Sequence, residues 1–298
     1  MKIRTDFVTN SSSSSFVVTL YLKLKNGYQI SLSSEMDEGD YDGAGNTLEA
    51  YDENQKLLKR ITNDPMAVME YIDEYDEDGS FYEEHDPEEI PAYFGSEIEI
   101  GRSTDLKGVQ AMTDDNFAGQ LADAFSFYEE GRSIREDDED WDDEDKRNDE
   151  NDYEDEEGDI MSLLVEKAKE IYKDGCRDAR EFLAENIKSK DDIAEMSLTM
   201  AYSGRGEMLP GPDEVLQSVF GYKDGQEIYY AATADREKAA EDIATELLSK
   251  GMAKDFTQKA VANAIRFARE LNYAPDETNV EESVAEDGKI DLEFRWDG

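Results

Sequence analysis

The stretch FVVTLYLKLKNGYQISL, residues 16–32, decides the fold class. From Phe16 to Lys25 the apolar and β-branched residues run as a strand. Asn26-Gly27 then supplies the two-residue turn that a hairpin needs, and Tyr28 to Leu32 returns. Working outward, Thr47-Leu48-Glu49-Ala50-Tyr51 and Leu57-Leu58-Lys59-Arg60-Ile61 flank the polar turn Asp52-Glu53-Asn54-Gln55 and read as a second strand pair. A short helix follows, capped by Asp64 and opened by Pro65, with Met66, Met69, Tyr71 and Ile72 on its apolar side. A strand is expected at 97–100. A helix is expected from Phe117 to Phe127, where Phe117, Leu121, Ala124 and Phe125 recur at helical spacing.

Beyond residue 159 the pattern turns helical. Ile160 to Tyr172, Arg177 to Lys188 and Asp191 to Tyr202 each place apolar residues three and four apart. The run Ser203-Gly204-Arg205-Gly206 to Pro210-Gly211-Pro212 breaks that pattern. A short helix from Asp213 precedes an expected hairpin from Val219 to Ala232 around Asp224-Gly225. Helices from Asp235 to Lys250, closed by Gly251, and from Asp255 to Leu271 follow. Ile290, Leu292, Phe294 and Trp296 alternate with Asp291, Glu293 and Arg295 as a half-buried final strand. The expected class is α+β. A β-hairpin-rich N-terminal half (1–135) and a helix-rich C-terminal half with a small sheet (160–298) are joined by an acidic segment (136–159), and helices cover a separate sheet in each half.

Charge is the outlying property. The 298 residues hold 76 Asp and Glu against 31 Lys and Arg, a formal net charge of −45. Direct binding to nucleic acid or to an anionic membrane needs a cationic face and is disfavoured; basic partners are favoured. At 38% hydrophobic, the chain still has enough apolar side chains for a core. The single cysteine, Cys176, suits a reducing cytoplasm and reads as structural, on a helix with Ala179, Phe182, Leu183 and Ile187. No signal peptide or membrane-spanning stretch is expected.

The acids are concentrated. Residues 70–89 hold eleven acids and no Lys or Arg, and residues 136–159 hold seventeen acids and two bases. As a helix the second segment would carry its excess charges about 2.4 Å apart, between the spacings of duplex and single-stranded DNA. Asp137, Asp138, Glu139, Asp140, Asp142 and Asp143, with Trp141 and Tyr153 as aromatic anchors, are therefore the expected partner-binding residues, joined by Glu74, Asp76, Glu77 and Asp78. The alternative is a solvated linker.

Catalytic groupings are sparse. The only histidine, His85, sits between Glu84 and Asp86 and reads as a solvated side chain. No phosphate-binding glycine loop or dinucleotide fingerprint occurs, and no cofactor is implied. Glu38, Asp40, Asp42, Gly43 and Glu49 fall at positions one, three, five, six and twelve of a calcium-binding loop. Against this, Glu stands first, Gly45 stands at position eight, and a strand precedes the segment.

The opening MKIRTDFVTNSSSSSFVV resembles a leader found on otherwise dissimilar uncharacterised proteins of Gram-positive bacteria and their phages and mobile elements. The resemblance covers about the first eighteen residues and implies an origin more than an activity. Together these features lead to the expectation of an acidic protein-binding inhibitor, active in the cytoplasm, that occludes the cationic groove of a nucleic-acid-binding enzyme. With a phage origin, that enzyme would be a host defence nuclease of the CRISPR or Gabija-like kind. Two other readings stand beside it: a carboxylate-based metal-dependent hydrolase using Asp37, Asp40 and Asp42, and a salt-adapted structural or interaction protein.

Overall fold

The computed structural model describes residues 14–38, 44–63, 105–125, 127, 156–203, 212–220, 240–270 and 277–296. Within them the chain is α+β. Strands β1 (Ser14–Leu24), β2 (Gln29–Glu38), β3 (Ala44–Tyr51), β4 (Leu57–Thr62), β5 (Ile193–Ser203), β6 (Glu277–Val284) and β7 (Ile290–Trp296) form one antiparallel sheet in the order β4-β3-β2-β1-β5-β6-β7. The described helices are α1 (Leu106–Ala111), α2 (Phe117–Ala124), α3 (Glu156–Asn186), α4 (Pro212–Phe220), α5 (Ala240–Ser249) and α6 (Gln258–Glu270).

Local chemistry sets the two N-terminal hairpins. Gly27 adopts φ +93, and the Asn26 side chain accepts the Tyr28 N–H at 2.9 Å, closing the β1–β2 turn. In the β3–β4 turn, Asp52 Oδ1 accepts the N–H groups of Asn54 at 2.8 Å and Lys56 at 2.9 Å.

The expectation of a separate sheet in each half is corrected. β1 pairs along nearly its whole length with β5, so strands from residues 14–62 and from residues 193–296 share one hydrogen-bonded ladder. β5 is itself a second correction, because a helix was expected over 191–202. The segment IAEMSLTMAYS satisfies both periods: Ile193, Met196 and Met200 fit a helix, whereas Met196, Leu198, Met200 and Tyr202 alternate. The edge of β1 decides between them. As a strand, the segment lays Leu198 beside Leu20 and Met200 beside Val18, and tertiary pairing overrides the local ambiguity. A third difference is that α3 runs unbroken through the expected gap between two helices at 173–176.

The two sheet faces differ sharply. One register row on the covered face reads Ile61, Leu48, Leu32, Leu20, Leu198, Glu282, Leu292 across all seven strands. All seven are buried. Each aliphatic member contributes about 1.5–3 kcal/mol by leaving water. The next position on the opposite face reads Thr62, Thr47, Ser33, Thr19, Thr199, Glu281, Glu293.

Helices pack on the aliphatic face. α6 buries Ala260, Val261, Ala264, Ile265, Phe267 and Ala268. The Phe267 ring stacks on Phe294 at 4.6 Å and meets Trp296 edge-on at 5.2 Å. α3 approaches the end of β4 at Gly175, where a Cβ would collide with the Thr62 carbonyl oxygen; glycine allows helix backbone to touch strand backbone there. The next residue, Cys176, is buried and accepts a hydrogen bond from Asn63 Nδ2 at 3.3 Å, the structural placement expected for it. Ala179 and Leu183 are buried on the same helix, Ile187 is buried just past its end, and Phe182 is half-buried. No described helix is long and apolar enough to cross a membrane.

The expected helix at 64–72, the strand at 97–100 and the hairpin turn at 224–225 lie outside the described residues. β6 and α1 had no counterpart among the expectations.

Candidate functional site

The partner-binding residues nominated from sequence, Glu74, Asp76, Glu77, Asp78, Asp137, Asp138, Glu139, Asp140, Trp141, Asp142, Asp143 and Tyr153, lie outside the described residues, as do His85, Asp40 and Asp42. Of the calcium-loop set, Glu38 ends β2 opposite Ser14, and Glu49 lies in β3 opposite Ser31 and Arg60. Strands therefore stand on both sides of 39–43, where a calcium loop has helices. Five residues of extended chain, about 16 Å, separate Glu49 from Ala44. Position twelve of the expected loop therefore lies within a strand. Among the described residues no group of three or more His, Cys, Asp or Glu side chains converges on a metal-sized space.

What the fold does assemble is a polar patch on the sheet's hydroxyl-rich face. Glu49 Oε2 accepts the Tyr51 hydroxyl at 2.5 Å, and Arg60 Nε lies 3.7 Å from Glu49 Oε1. Burial first, and then the Glu49 carboxylate, push the Tyr51 phenol up to about 12. Tyr21 stands one strand beyond Ser31 in the same row, and burial raises its phenol despite a hydrogen bond with Thr19. The Thr19 and Ser33 hydroxyls are 3.0 Å apart. The row through these residues reads Arg60, Glu49, Ser31, Tyr21, Ser197, Ser283, Asp291. At neutral pH both phenols are protonated, so this surface offers hydroxyl donors and acceptors together with carboxylates.

A second grouping sits where α1 meets the aliphatic face. Glu282 is 5% exposed, and its Oε2 accepts the Leu106 N–H at 2.7 Å. Burial pushes this carboxyl up to about 7, with Leu106 opposing and Asp105 adding to the rise. Nearby, Lys107 Nζ donates to the Ser218 carbonyl at 3.0 Å and lies 4.0 Å from the centre of the Phe256 ring. Desolvation lowers its pKa against the pull of Asp255, Asp105 and Glu282. No apolar alternation announces this group in the sequence, since the inward positions of β6 are Thr278, Val280 and Glu282.

The covered face also buries Ser34 and Asn46 at directly paired register positions, and neither side chain has a hydrogen-bond partner among the described residues. Comparison of the chain with protein-family models, with curated proteins and with solved structures gives no match.

Proposed function

We propose that the chain is an acidic protein-binding inhibitor that occupies a cationic, nucleic-acid-binding surface of a partner enzyme in the cytoplasm. The observation that carries this reading is the arrangement of polar groups on one face of the sheet. Two adjacent rows crossing seven strands hold hydroxyls, carboxylates and a single arginine. Such a face suits arginine and lysine donors, and a net charge of −45 draws a basic partner through long-range attraction. The acidic segments 70–89 and 136–159 extend the same chemistry and supply the polyanion-like component. The leader resemblance makes a host defence nuclease the natural instance of such a partner.

The test is capture of the partner from a host lysate, followed by competition of the chain with DNA or RNA for that purified enzyme. Inhibition that DNA or RNA relieves, and that falls as salt rises past the range where the Debye length is about 10 Å, supports occlusion. Salt-independent inhibition that nucleic acid leaves unchanged rules it out.

A further inference from the structure

One edge of the sheet is covered, and the other has no neighbour among the described residues along most of its length. At β7, the Thr257 N–H reaches the Ile290 carbonyl at 2.9 Å, the Ile290 N–H reaches the Asp255 carbonyl at 2.9 Å, and Asn263 Nδ2 reaches the Leu292 carbonyl at 2.5 Å. At the far edge, α3 meets the Thr62 end of β4, leaving Leu57 to Arg60 without a described neighbour on the outer side. Since the Asn63 N–H donates to the Asn46 carbonyl, alternation along the ladder turns the Arg60 backbone groups outward.

This β4 edge is both apolar and basic. A register shift at Ala50/Tyr51 breaks the alternation of β4 and leaves Leu57 45% and Leu58 46% exposed. Tyr28, 36% exposed, sits at the same end of the sheet, so three of the four large apolar side chains exposed among the described residues gather at one corner. Lys56, Lys59 and Arg60 flank the leucines. Among the described residues neither lysine side chain has an ion-pair or hydrogen-bond partner, although acids outnumber bases 76 to 31. Lysines and a bulge on an edge strand guard against unwanted strand pairing. That protective role does not call for two adjacent exposed leucines.

We propose that the Leu57–Arg60 edge is a docking site for an acidic, extended peptide segment of a partner protein, which adds as an eighth strand. Main-chain hydrogen bonds would supply affinity, the leucines would receive apolar side chains, and the lysines would select carboxylates. A second copy of this chain is a poor occupant, because β4 against β4 would oppose like charges.

The experiment measures binding of a fluorescein-labelled peptide of alternating Glu and Val to the full chain by anisotropy, at low and moderate salt. The control is the same peptide N-methylated at alternate residues, which cannot pair as a strand. The variants are Lys56→Glu with Lys59→Glu and, at exposed apolar positions, Leu57→Ser with Leu58→Ser. Unchanged circular dichroism establishes that each is folded. The expected result is salt-sensitive binding of the acidic peptide, lost on N-methylation and weakened about tenfold by the double charge reversal. Absence of binding to the parent chain, equal binding of the methylated peptide, or binding to either variant as tight as to the parent would overturn the proposal.

Discussion

The Glu282 carboxylate accepts the Leu106 N–H at 2.7 Å from within a row otherwise made of leucine and isoleucine, tying α1 to the sheet through a buried acid. With its pKa raised from 4.5 to about 7, the folded protein holds this proton more tightly than the unfolded chain does. The associated stability is therefore fully present below about pH 4.5, declines as pH rises to about 7, and is constant above that. At 1.36 kcal/mol per pKa unit the loss amounts to about 3 kcal/mol. Glu282→Gln keeps the shape and a carbonyl acceptor for Leu106, so the variant should lack this component. Chemical denaturation of both proteins at several pH values between 4.5 and 7.5 checks it; parallel stability curves would contradict the assignment.

Gly175→Ala separates helix propensity from packing. Alanine favours a helix interior over glycine by about 1 kcal/mol. Here the added methyl meets the Thr62 carbonyl oxygen, and strand and helix must part. A net destabilisation of about 1–3 kcal/mol is expected in urea unfolding, as for other insertions into a filled space. A gain in stability would mean that α3 stands off from β4.

Leu198→Ala tests the shared sheet. Leu198 is fully buried between Leu20 on β1 and Glu282 on β6. Truncation should cost about 2–5 kcal/mol. Because one ladder carries both chain segments, tyrosine fluorescence and far-ultraviolet circular dichroism should shift together in a single transition. Two separated transitions, only one of them displaced, would show that the halves unfold independently.

The acidic segment is tested by cumulative neutralisation. Exposed charges contribute little one at a time, so single Asp→Asn changes within 137–143 should be nearly silent in the competition assay. Neutralising Asp137, Asp138, Glu139, Asp140, Asp142 and Asp143 together should weaken inhibition at low salt far more than at high salt. Trp141→Ala should cost more than any one of these acids, as a desolvated aromatic anchor typically does. Equal inhibition by parent, block-neutralised and Trp141→Ala proteins at both salt levels would assign the segment to a linker.

How much of this was legible in the sequence depended on whether the signal was local. Asn26-Gly27 and the Asp52 turn announce their hairpins because the turn chemistry lies within four residues. β7 shows itself by alternation. β5 misleads because its methionines satisfy two periods at once, and only the exposed edge of β1, far away in the chain, resolves the choice. β6 is hidden because one of its inward positions is Glu282, which defeats a search for alternating apolar residues. The nominated acidic sites came from composition, which records charge density without position. Glu282, Lys107 and the Tyr21–Glu49–Tyr51 patch become visible only after strands distant in sequence are laid side by side.

The central place of β1 also has a consequence for synthesis. The first four strands can pair once β4 has left the ribosome, yet the partner for the other side of β1 begins roughly 130 residues later, or about seven to twenty-five seconds at ordinary elongation rates. Throughout that interval a nascent half-sheet presents the open edge and aliphatic face of Val18, Leu20 and Leu22. The segments translated meanwhile are the most acidic in the chain, and their like charge would oppose association of neighbouring nascent chains until β5 arrives.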